Sequence, residues 1–137
     1  MYLIGFPLLI IPFAIYNMIA FLLPGMGWVD RIASIRLISG QDWTVTPQDI
    51  LLAVSVLFLA VEIMKSTRMS MRAILDHVLS MILFIVMLVE FLLVKQAGTS
   101  TFFILMVISL VDVMAGFIVT IRTAQRDLQI DRVEPTA

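Results

Sequence analysis

The chain has 137 residues, of which 61% are hydrophobic and only 14% are Asp, Glu, Lys or Arg, with a formal net charge of −1. Ordinary soluble domains carry about 25% charged residues, and a chain this small cannot hide so much apolar surface in a core of its own, so a soluble globular domain and a disordered chain are excluded. Nine basic against ten acidic residues leave no polybasic footprint for nucleic acid, and the absence of cysteine removes disulfide frameworks, thiol redox chemistry and thiolate metal sites.

A bilayer hydrocarbon core of about 30 Å needs a helix of about 20 mainly apolar residues. Four stretches qualify, at 3–23, 49–64, 73–94 and 101–121. They are too long and too little alternating for barrel strands. The expected fold is therefore an all-α integral membrane protein: four transmembrane helices in one antiparallel bundle over 1–128, followed by a flexible cytoplasmic tail at 129–137.

The first span has no basic residue before it and no small-residue cleavage site after it, so it reads as a retained helix. Pro7 suits a first helical turn. Pro12 should kink the helix, because its ring meets the carbonyl of Leu8, and Pro24-Gly25 should end it.

The following loop is the one long connection. Within 28–39, Trp28, Ile32, Ile35 and Ser39 share one helical face, with Asp30, Arg31 and Ser34 elsewhere. This spacing predicts a short amphipathic helix lying in the outer membrane interface. Trp28 and Trp43, the two tryptophans of the chain, are the expected interfacial anchors. Thr46, Pro47 and Asp49 then form a helix start: N-cap, first-position proline and first-turn acid.

The loop 65–72 is short and basic, and predicts an antiparallel hairpin of the second and third spans. Gly98 closes the next turn, and the fourth helix is expected to run on through Leu128. With four spans, Lys65, Arg68, Arg72, Arg122, Arg126 and Arg132 lie on one side, and Arg31, Arg36 and Lys95 on the other. The positive-inside rule puts both termini in the cytoplasm of a bacterial inner membrane.

Five ionisable residues fall where lipid is expected, and each needs a reason to be there. Glu62, Asp76 and His77 gather at the inner ends of their spans, within reach of Lys65, Arg68 and Arg72; this predicts an ion-pair cluster closing the hairpin. Glu90 and Asp112 lie deeper, with no basic residue in either span. Asn17, also mid-membrane, is the expected neutral partner of Asp112. Ser109, Asp112, Gly116, Thr120 and Thr123 form a stripe on the fourth helix; Asp76, Ser80, Met87 and Glu90 on the third; Gln48, Ser55, Glu62 and Ser66 on the second. Small and hydroxylated residues mark helix contacts in membranes, so these stripes should converge on a bundle interior or on an interface between copies, with hydroxyls bonding across helices.

One histidine and no cysteine offer no metal site. None of the six glycines forms a phosphate-binding loop. No cofactor is expected, and no catalytic residue can be named. Two functional readings follow: a non-enzymatic inner-membrane protein acting as a homo-oligomer or as an accessory subunit among other membrane proteins, with lipid as its solvent; or a small proton- or cation-coupled transporter or channel using Asp112 and Glu90, with Asn17 and Ser109 beside them.

Overall fold

A computed structural model describes residues 6–67 and 71–133; the side chains of Met71, Arg72, Thr123 and Val133 are not included in the description. The protein is mostly helical, with four α-helices among these residues: α1 Ile10–Leu22, α2 Pro47–Ser66, α3 Met71–Leu93 and α4 Ser100–Val133. Ala73–Leu93 and Ser100–Arg132 are long and apolar enough to cross a membrane. α1 is equally apolar but has 13 residues, about 20 Å at 1.5 Å per residue.

The start of α1 differs from expectation. Residues 7–11 form a tight turn, with Ile10 N–H donating to the Pro7 carbonyl (3.2 Å) and Ile11 N–H to Leu8 (3.0 Å). Pro7 thus precedes the helix. Pro12 falls in its first turn, where no backbone bond is lost, so its predicted kink is replaced by a late start.

The amphipathic interfacial helix expected at 28–39 is not there. The segment instead forms half of an antiparallel hairpin, β1 Ala33–Arg36 and β2 Asp42–Val45, in the register Ala33↔Val45, Ser34↔Thr44, Ile35↔Trp43 and Arg36↔Asp42. The reason lies in residues outside the window that suggested a helix. Gly40 takes φ +87°, a conformation that L side chains rarely adopt. It closes a turn in which Leu37 N–H donates to the Gln41 carbonyl at 2.9 Å. Asp42-Trp43-Thr44-Val45 then supplies the alternating, β-branched partner that turns Ile35 from a helix-face residue into a strand residue.

The start of α2 is as expected. The Thr46 hydroxyl accepts from Asp49 N–H (3.3 Å), and the Asp49 carboxylate accepts from Thr46 N–H (2.9 Å), a reciprocal capping box with Pro47 behind it. At the start of α4 the Thr99 hydroxyl plays the same part for Phe102 N–H (3.1 Å). α4 continues to Val133, past Leu128 and through the first residues of the expected tail.

α4 is the centre of the bundle. α2 and α3 pack chiefly against it and little against each other, while α1 leans on α2 and on the 3₁₀ turn Lys95–Ala97. The apolar core, with Leu9, Leu51, Leu83, Met87, Leu105 and Ile108, lies along α4. It ends at the hairpin side in an aromatic cluster. There Tyr16 stacks on Trp28 (ring centroids 4.6 Å apart, planes 3° apart) and meets Phe102 edge-on at 5.0 Å.

Candidate functional site

The last turns of α2, the first turns of α3 and the middle of α4 meet at the end of the bundle opposite the hairpin. Each helix contributes two residues four apart, hence on one face: Glu62 and Ser66, Asp76 and Ser80, Asp112 and Gly116. With Ala73 and His77 they line a cavity of about 10 Å³, room for about one water molecule.

Lys65 ties the group together. Its ammonium lies 3.0 Å from Glu62 Oε1 and 3.5 Å from Asp76 Oδ2, and donates to the Phe6 carbonyl at 2.7 Å. Glu62 Oε1 also accepts from Leu8 N–H at 2.6 Å, so the turn before α1 covers the cluster with its own backbone. Glu62 is 2% exposed and Asp76 6%. Removing one member of a pair this dry leaves an uncompensated buried charge, and so carries a large penalty.

On the far side of the cavity, the Ser80 hydroxyl donates to the Asp76 carbonyl (3.0 Å) and faces the buried Asp112 carboxyl. Asp76 Oδ1 and His77 Nε2 are buried without hydrogen-bond partners. The His77 ring stands edge-on to Phe117 at 4.7 Å and lies so close to Gly116 that a Cβ there would overlap it.

The expected inner-end cluster of Glu62, Lys65, Asp76 and His77 is thus brought together. Arg68 and the side chain of Arg72, expected to join it, lie outside the described residues. Asp112 joins this cluster instead of Asn17. The Asn17 amide donates to Glu90 Oε2 (3.3 Å) and to the Phe13 carbonyl (3.3 Å), because α1 meets α3 nearer the aromatic end. Ser109 is buried one turn before Asp112, with its hydroxyl unpaired.

The stripe hydroxyls also behave differently from expectation. Ser55, Ser66, Ser80 and Thr120 donate to carbonyls of their own helices at 2.7–3.0 Å, and so serve close helix approach more than cross-linking. A cross-helix hydroxyl bond forms elsewhere: Thr101 donates to Gln48 Oε1 at 3.0 Å.

Trp28 is half-buried on Tyr16, whose hydroxyl donates to the Gln96 carbonyl (2.8 Å) and pairs with Thr99 Oγ1 (2.7 Å). Trp43 stays exposed on β2. Sequence reading missed the Phe6 and Leu8 backbone groups and the Tyr16 network. Backbone partners leave no side-chain signal, but a tyrosine in an otherwise apolar span could have marked the second.

Compared with known protein families, curated proteins and solved structures, the chain matches none.

Proposed function

We propose that the chain is a non-enzymatic bacterial inner-membrane protein that crosses the bilayer four times, with both termini cytoplasmic, and works as an oligomer or as an accessory subunit of a larger membrane complex. The observation that carries this reading is the radial sorting of side chains. Large apolar residues point outward on every helix, with Leu57 67% and Leu93 80% exposed, while Ser55, Glu62, Asp76, Ser80, Ser109 and Asp112 lie between helices. In water such a surface would be an aggregating patch; in lipid it is the expected arrangement, since acids and hydroxyls avoid hydrocarbon. The exposed apolar residues Phe6, Leu23 and Met26 flank the short α1 and lengthen its apolar reach toward a full crossing. The excess of basic residues on the side of Lys65 and the α4 extension favours a cytoplasmic location for that side.

A reporter fused after Ala137 is expected to read as cytoplasmic and one inserted at Gly40 as periplasmic. Purification in mild detergent is expected to give a mass above that of one chain. A periplasmic C-terminal reporter would overturn the topology, and a monomer with no co-purifying protein would overturn the assembly.

The second reading, a proton- or cation-coupled carrier using Asp112 and Glu90, is favoured by one particular observation. Asp112 borders a small polar cavity together with two further carboxyls. Proton flux in proteoliposomes tests it.

A further inference from the structure

We infer that Asp112, Asp76 and His77 form a proton-exchange site at the Lys65 end of the bundle, in which Asp112 holds a proton that passes through one water in the cavity to Asp76 Oδ1 and His77. This deepens the proton-coupled reading above and rests on it for its role, though not for its geometry.

Three observations carry the site. The first is the count of charge. The groups facing the cavity region are Glu62 and Lys65 from α2, Asp76 and His77 from α3, Asp112 from α4, and the Phe6 carbonyl and Leu8 N–H from the turn before α1. Among the described side chains, three carboxyls therefore share one ammonium. Glu62 makes the closest contact with that ammonium, its Oε1 accepting both the Leu8 N–H and the Lys65 N–H. A buried carboxylate without a counter-charge is costly, and taking up a proton removes the cost.

The second observation is geometric. Glu62 and Asp76 each lie within reach of the Lys65 ammonium, at 3.0 and 3.5 Å, whereas Asp112, buried on the wall of the same cavity, has no ion pair among the described residues. The third is independent of both. Asp76, whose side chain is 9% exposed, and His77 both line the same cavity, and Asp76 Oδ1 and His77 Nε2 are buried without a partner. An unpaired carboxylate oxygen and an unpaired imidazole nitrogen on two residues that border a space for one water offer acceptors for what Asp112 can give.

The step balances without a co-reactant. The Asp112 O–H bond breaks, its hydrogen joins the water, and the water passes one of its own hydrogens to Asp76 or to His77. One proton moves, no electrons do, and a proton from the solution refills Asp112. A proton fits better than a metal ion: among the described residues no three His, Asp or Glu side chains converge as ligands.

Infrared difference spectroscopy of the full chain in detergent and in proteoliposomes, titrated with pH in H₂O and D₂O, tests the site. The wild type is expected to show a protonated-carboxyl band that shifts in D₂O and disappears as pH rises. Asp112→Asn should lose the band, Asp112→Glu should restore it, and Glu90→Gln should leave it in place, with helix content and oligomer mass checked in each. No such band at any pH, a band that never exchanges in D₂O, or a band lost in Glu90→Gln and kept in Asp112→Asn would overturn the site. Proton flux in the same vesicles is scored separately. An exchangeable Asp112 band without flux supports the site and ends the carrier reading; flux without the band ends the site and leaves the carrier.

Discussion

The two ends of the bundle solve the same problem in different chemistry. At the hairpin end the polar groups set among the rings are neutral: the Tyr16 hydroxyl meets the Gln96 carbonyl and Thr99, under Trp28 and Phe102. At the other end the polar groups are charged, with Glu62 and Asp76 sharing Lys65 and Asp112 close behind. Neutral bonds cost little to bury once made, and losing one removes only a modest net contribution. Charges in a dry interior depend on one another, so removing one strands the rest. The aromatic end is therefore the tolerant one, and the charged end is where a single change has the largest effect and where ionic chemistry is available.

The sharpest way to break that contrast is Lys65→Met. It leaves Glu62 and Asp76 without their described cation, and should destabilise the folded protein by about 3–5 kcal/mol, the usual cost of breaking a buried pair. Reversible unfolding in mixed detergent measures it. A loss no greater than that for Tyr16→Phe would mean that the two ends are energetically alike.

Gly116→Ala comes next. The new methyl would overlap the His77 ring, an overpacking that typically costs about 1–3 kcal/mol, against about 1 kcal/mol of helix propensity gained over glycine. The net expectation is a loss of about 1 kcal/mol with the ring turned from the cavity. The same unfolding assay and the histidine ring NMR signals check the two parts. Added stability with an unmoved ring would show that the glycine is not needed for His77.

At the aromatic end, Tyr16→Phe keeps the stacking on Trp28 and removes the hydroxyl. About 1 kcal/mol should be lost, with little change in Trp28 fluorescence. A large change in emission would mean that the hydroxyl, and not ring packing, sets the position of α1.

The smallest effect is expected from Glu90→Gln. The carboxyl accepts one long bond from Asn17 (3.3 Å), and an amide of the same shape can still accept it. The change should be under about 1 kcal/mol, within the range of hydrogen bonds measured in membrane bundles.

Much of this molecule is local, and so was legible in the residues alone. Thr46, Pro47 and Asp49 specify the start of α2 through contacts no more than three residues apart. The apolar runs gave the long helices α3 and α4 their type and approximate extent, because length and hydropathy are properties of one segment. The grouping of Glu62, Lys65, Asp76 and His77 followed from a short connection between two helices. Other features depended on which distant segments met. Ile32 and Ile35 fit a helix face as well as a strand until Trp43 and Thr44 pair across Gly40. The turn at residues 7–11 begins α1 late enough to spare Pro12 a kink and brings the Leu8 N–H onto Glu62. Periodicity says which residues share a face but not which helix that face will meet, nor at what height. That is why Asn17 answers to Glu90, and why Asp112, the deepest acid in the sequence, belongs to the charged end.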